Sequence, residues 1–103
     1  MPNDRIAALQ KMIERAPDDP RARFGLALEY EKLGRWEETA AQLTRYLELT
    51  DDEGNAWGRL GHALRQLGRD DEAMVAYRRG IAAARAHGHP TMATEFEEVI
   101  EDW

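Results

Sequence analysis

One hundred and three residues are enough for one domain with a single shared core. The chain carries 20 Asp and Glu against 14 Lys and Arg, a formal net charge of −6. That balance argues against bulk nucleic-acid binding, which depends on neutralising phosphates with basic side chains. The absence of cysteine excludes disulfides and thiolate chemistry. No apolar run is long enough to span a bilayer, and Met1-Pro2-Asn3-Asp4-Arg5 lacks the basic and apolar segments of a secretory signal. A cytoplasmic protein with no membrane or nucleic-acid partner is therefore expected. Lys11 and Lys32 are the only lysines, a bias read mainly as genome composition.

Alternating β-branched runs are missing, and apolar residues recur at helical spacing throughout. A first helix carries Ile6, Leu9, Ile13 and Ala16 on one stripe, and Pro17-Asp18-Asp19-Pro20 stops it. Asp19 can accept hydrogen bonds from the free amides of the second helix, and Pro20 suits its first turn. The second helix carries Leu26, Ala27, Tyr30 and Leu33 and ends at Gly34, because glycine accepts the left-handed conformation that closes a helix. Trp36, Ala40, Leu43 and Leu47 mark a third helix that ends near Thr50-Asp51-Asp52. Trp57, Leu60, Gly61, Leu64 and Leu67 mark a fourth, closed by Gly68. Asp70 is expected to cap the fifth, which carries Ala73, Tyr77, Ile81 and Ala84. His87-Gly88-His89-Pro90 breaks it, and Met92, Phe96, Val99, Ile100 and Trp103 form the face of a last helix.

A period of 34 residues links these helices. Leu33-Gly34-Arg35 returns as Leu67-Gly68-Arg69, Leu26 as Leu60, Glu38 as Glu72, and Leu47 as Ile81. Such a period marks a helical repeat array. The second full period reads Trp57-x2-Leu60-Gly61-x2-Leu64, then Leu67-Gly68, then Ala73-x3-Tyr77, and it resembles the tetratricopeptide repeat. The first full period matches less well, with Arg23 where the Trp would stand and Asp51 where the closing Pro would stand. Arg85 takes that Pro position in the second. The first helix reads as the second half of a preceding repeat, closed by Pro17. The resemblance covers residues from about 4 to 87, and the last helix, with Thr94-Glu95 in place of Leu-Gly, reads as a cap.

The expected fold is thus an all-α, α-α superhelix (a tetratricopeptide-like solenoid) of about six antiparallel helices in a single domain, 1–103. It divides into a half repeat at 4–16, full repeats at 20–53 and 54–87, and a capping helix at 90–103. Small residues at Ala27 and Gly61 let neighbouring helices approach closely, at a cost of about 1 kcal/mol in helix propensity for glycine. A four-helix bundle with an extra helix, or two unrelated α-hairpins, is the alternative architecture.

The resemblance implies a concave groove, lined by the first helix of each repeat, that binds a peptide, helix or chain terminus. Sorting the helices by face puts Arg21, Phe24 and Leu28 of the second helix, with Glu31, on that surface. On the fourth helix, Asn55, Arg59, His62 and Arg65 occupy the equivalent face. The expected groove is apolar at one end and basic at the other, on a chain that is acidic overall. Arginine presents paired donors that suit carboxylates, so an acidic peptide with an apolar anchor matches it. Two other readings stay open. Phe24 and Leu28 can pack on the first helix, and Glu95, Glu98 or Glu101 can neutralise Arg59 and Arg65. The Lys and Asn set with which some tetratricopeptide grooves hold a terminal carboxylate is absent, and Arg59 alone resembles a clamp residue.

An adaptor binding a protein or peptide segment is the leading function. A homodimer formed through the Phe24 and Leu28 face is the alternative, since exposed apolar patches mark contacts. Catalysis has little support. Serine and cysteine are absent, and the carboxylate clusters Glu37-Glu38, Asp70-Asp71-Glu72 and Glu97-Glu98 read as solvated helix starts and faces. His87-x-His89 has no one-turn helical spacing to a third ligand, and Gly58-Arg59-Leu60-Gly61 lacks the P-loop Lys. No metal and no cofactor are expected. Trp57 reads as core and Trp36 as packing between helix pairs, while Trp103 either seals the last helix or frays into solvent.

Overall fold

A computed structural model describes residues 2–103, with side chains from residue 4 onward; Met1 and the side chains of Pro2 and Asn3, part of the leader reading above, lie outside the described residues. Six helices and no strand form there: α1 Pro2–Arg15, α2 Pro20–Lys32, α3 Trp36–Leu49, α4 Asn55–Gln66, α5 Asp70–Ala86 and α6 Pro90–Glu101. They gather into two compact units, residues 1–50 and 51–103. The first holds α1 to α3 and the second α4 to α6, with sequential helices packed on each other within each unit.

In the first unit, Ile6 and Leu9 of α1 meet Ala22, Leu26 and Tyr30 of α2, with Ile13 packed against the cluster. Leu26 and Ala27 on α2, and Thr39, Ala40 and Leu43 on α3, are buried as well. Thr39 is fully buried because its hydroxyl donates to the Arg35 carbonyl at 2.8 Å, which leaves no orphaned polar group. Gly34 closes α2 in the left-handed region at φ 70°, where the Gly34 amide donates to Glu31 O and the Arg35 amide to Tyr30 O, each at 3.0 Å. Leu33 does not enter the core as its spacing implied. It is the C-cap residue, outside the last turn, and is 49% exposed. Ala16 likewise follows the last residue of α1 and is exposed.

Asp19 caps α2 as expected. Its carboxylate accepts from the Arg21 amide at 3.0 Å and from the Arg21 guanidinium at 3.1 and 2.7 Å. The guanidinium bonds, followed by the backbone amide, hold the Asp19 carboxyl down at about 2.

The second unit depends on close approach. A Cβ on Gly61 would lie 2.7 Å from two atoms of the Tyr77 ring, and one on Gly58 would lie 2.4 Å from Phe96. Glycine at these two places brings α4 against the aromatic side chains of α5 and α6. The Tyr77 ring is held edge-on by Phe96 and by Trp103, with centroids 5.8 Å away in both cases. Leu60, Ala63 and Leu64 of α4 and Ala73, Ala76 and Ala84 of α5 complete the buried layer.

Two caps differ from the sequence reading. Arg69, without a side-chain bond, holds the cap position of α5, so Asp70 is the first helical residue. Asp70, Asp71 and Glu72 instead line the first turn, where the helix dipole favours negative charge. At the start of α4, Asp52 accepts from the Gly54 amide at 2.8 Å and the Ala56 amide at 2.9 Å. It thereby satisfies donors that the Gly54 cap cannot. Trp57 is half-buried rather than fully core, with the Arg79 guanidinium 5.4 Å above its ring.

Three substitutions test these contacts. Because the folded pKa of Asp19 is depressed, its stabilisation is fully present above its unfolded value and is lost as pH falls toward about 2. Asp19→Ala lowers the Tm at pH 7, and thermal scans at falling pH show the gap to the parent closing toward pH 2. Gly61→Ala, despite its helix propensity, costs about 1–3 kcal/mol in urea denaturation because the clamped Tyr77 ring cannot yield. Gly68→Ala, at φ 76° with open space around it, costs about 1 kcal/mol through backbone strain alone.

Candidate functional site

The basic face lies along α4. Ala56, Leu60, Gly61, Ala63 and Leu64 turn inward, which leaves Asn55, Arg59, His62 and Arg65 on the remaining face, where Gly58, between His62 and Arg65, is covered by Phe96 of α6. Arg59 is drawn along the helix surface by its neighbour one turn back, its Nε donating to Asn55 Oδ1 at 2.8 Å. His62 and Arg65 are exposed. The Arg65 guanidinium lies 4.4 Å from the centroid of the Trp103 ring. That ring in turn packs edge-on against Tyr77, so the final residue is tied back to the unit and does not fray.

A cation lying over a ring in this way is held without spending its N–H groups on the contact. The neighbouring Tyr77 hydroxyl feels two opposed influences. Burial pushes its pKa above the ordinary tyrosine value, and the Arg65 charge pulls it back down. On the acidic last helix, Glu97 accepts from Arg85 at 2.7 Å.

The face on α2 belongs to the first unit. Arg21 is exposed, and its charge is already balanced by the two bonds to Asp19. Phe24 is half-buried with its ring 5.0 Å from that of Tyr46, so it packs toward α3, and Leu28 is also half-buried. Sequence reasoning weighed α1 as the neighbour of Phe24. The α3 contact escaped it because Tyr46 lies off the periodic stripe of that helix.

Sequence reasoning also missed Trp103 as the support of Arg65, since the contact is tertiary. It missed a polar cleft around Arg23 as well, although the arginine at the motif's Trp position was its signal. His87 and His89 sit in the α5–α6 turn, and His89 Nε2 lies 2.5 Å from Glu53 Oε1. That contact, with the charges of His87 and His89 behind it, lowers the Glu53 pKa. Among the described residues, no group of three or more His, Asp or Glu is placed to hold a metal ion, and no helix is long and apolar enough to cross a membrane.

Comparison with known proteins adds to this picture. The tetratricopeptide repeat profile matches residues 1–84. A tetratricopeptide repeat-containing protein of Pseudomonas aeruginosa is 34% identical over 83 residues, covering 81% of this chain and 79% of its own. The small glutamine-rich tetratricopeptide repeat-containing protein 2 of Mycosarcoma maydis is 32% identical over 76 residues, 74% of this chain and 22% of that protein. Two solved MamA chains, one of them a point mutant, share the fold with a TM-score of 0.66 each, at 22% and 24% identity. Both cover 90% of this chain, which spans 62% and 66% of theirs. The glycine-closed helix pairs at a 34-residue spacing, the profile match and the bacterial relative agree: the chain belongs to the tetratricopeptide repeat family, a family of protein-interaction modules.

Proposed function

We propose that the chain is an adaptor that binds an acidic peptide segment of a partner protein, with the Asn55, Arg59, His62 and Arg65 face of α4 as its charge-reading surface. The observation that carries this reading is the oriented Arg65. A guanidinium stacked on an aromatic ring loses little freedom when its in-plane N–H groups take a carboxylate, which lowers the ordering cost of binding. Arg59 and His62 add positive or polar donors on the same helix face, on a chain whose net charge is −6. Local charge opposite to the global charge selects acidic segments that present themselves at this face.

The α2 face of the first unit is read by itself: Phe24 and Leu28 retain exposed surface, with Arg21 exposed on the same face, and they suit an aliphatic side chain of a protein partner. The homodimer alternative uses this same α2 face. It predicts a concentration-dependent mass, whereas the adaptor reading does not.

The adaptor is tested with fluorescein-labelled acidic and basic peptide pools, titrated against the protein by fluorescence polarisation. Acidic peptides bind more tightly, their affinity falls with added salt, and Arg59→Glu with Arg65→Glu weakens them by about a hundredfold or more, since two charge-assisted contacts are reversed. Equal binding of both pools, or unchanged affinity in the double variant, rejects the assignment.

A further inference from the structure

A second site lies in the first unit, on residues that the α4 reading does not use. Thirty-four positions before Trp57, the chain has Arg23. An open cleft of about 430 Å³ surrounds that residue, lined by Gln10, Ile13 and Glu14 of α1, Arg23, Leu26 and Tyr30 of α2, and Gln42 of α3. Where a tryptophan ring would be one of the walls, a cation stands instead.

The guanidinium is poorly satisfied. One terminal nitrogen donates to Gln42 Oε1 at 3.3 Å and the other to the Pro17 carbonyl at 3.4 Å, both near the outer limit of a hydrogen bond. Its Nε is buried, and among the described residues it finds no acceptor. A buried donor without a partner is costly, and a charged one more so. The neighbouring polar groups add donors rather than relieve it. Gln10 Nε2 donates to the Tyr30 hydroxyl at 3.3 Å, so the Tyr30 hydrogen is available to another acceptor. Gln42 presents its oxygen to Arg23, so its NH2 group points its two donors elsewhere. Both acceptors that hold Arg23 are neutral, and the one carboxylate on the wall, Glu14, makes no hydrogen bond to it.

We propose that the Arg23 cleft is a docking site for a single glutamate side chain of a partner protein. With Nε and one terminal nitrogen turned toward the cleft, a carboxylate would accept from both as a fork, in charge-assisted bonds of about 2.7–2.9 Å. Ile13 and Leu26 give the methylene stem apolar contact. Glu14, also on the wall, weakens the docking of any carboxylate and opposes a run of them more strongly than a single one. The cleft therefore favours an isolated glutamate over an acidic run, which separates it from the acidic-segment reading of α4. The two sites stand on different helices and different residues, and each can fail without the other.

The test is a 15N–1H NMR titration of the full chain that follows the Arg23 Nε–Hε resonance and the Gln10, Tyr30 and Gln42 amides. The probe is the blocked tripeptide Ac-Gly-Glu-Gly-NH2, with Ac-Gly-Gln-Gly-NH2, Ac-Gly-Gly-Gly-OH and sodium acetate as controls at matched ionic strength. The glutamate peptide gives a saturable shift of the Arg23 signal, and the glutamine peptide gives none. Arg23→Gln weakens binding by about tenfold or more, read on the remaining amides. Arg23→Trp, which fills the cleft with the motif's own residue, abolishes binding while circular dichroism and thermal melting show a folded protein. Glu14→Gln tightens binding by removing the like charge.

Four results overturn the proposal. In the first, the Arg23 signal does not respond, so that solvent alone fills the cleft. In the second, the free-terminus peptide or acetate binds as well as the glutamate peptide, so that any small carboxylate serves. In the third, affinity falls in Glu14→Gln. In the fourth, shifts are confined to Arg59 and Arg65, which leaves the α4 face as the only acid-binding surface.

Discussion

Helix α4 meets its neighbours at a distance that admits no side chain at two of its positions. Gly61 lies against the Tyr77 ring and Gly58 against Phe96, and any Cβ there would overlap the aromatic atoms. Two glycines in a 12-residue helix lower its intrinsic propensity, so α4 persists through packing. The same contact sets up the surface proposed to bind a partner. Once Tyr77 is seated on Gly61, its edge receives Trp103, and Trp103 supplies the platform under Arg65. The orientation of an exposed cation on one side of the unit thus rests on a missing methyl group inside it.

The first unit solves the same packing problem with different residues. Ala27 and Ala40 are small and buried, and Leu26 and Leu43 fill the remaining space. Its departure from the repeat pattern at Arg23 has a local physical consequence. A planar aromatic there would be a filled wall, but the guanidinium holds only long bonds to Gln42 and Pro17 and a buried Nε without an acceptor, and the region around it is open and polar. The two repeats share a backbone plan and differ in the chemistry of one position. In the second repeat that position holds a ring beneath a cation, Arg79 over Trp57. In the first it holds the cation itself.

Charge is distributed by function of place rather than by composition. Ion pairs such as Arg45 with Asp18 and Glu48, or Arg69 with Glu72, join exposed side chains and contribute little stability individually. Asp19 and Asp52 act differently, as carboxylates that satisfy helix-start amides. The acidic surplus is therefore partly structural, and the arginines of the α4 face stand out against it.

The periodic pattern determined where helices start and stop. Glycine at the left-handed positions 34 and 68, proline at the first turns of α2 and α6, and apolar residues at helical spacing are local signals, readable from neighbours in the chain. Burial of Leu26, Ala27, Tyr30, Leu60, Gly61 and Leu64 was legible for the same reason, since one helical face is a property of spacing. Tertiary structure alone decided the rest. Leu33 shares the spacing of the buried stripe but sits beyond the last turn, where the chain has already rotated out of the helix. Asp52 rather than Asp70 became a cap because the path of the preceding loop, not residue type, decides which carboxylate reaches the free amides. Trp103 found Arg65 and Tyr77, and Arg23 failed to find a full set of acceptors. The last two outcomes depend on groups far apart in sequence meeting in space, while those at Leu33 and Asp52 depend on the local path of the chain at a helix end, and helical periodicity carries no information about either.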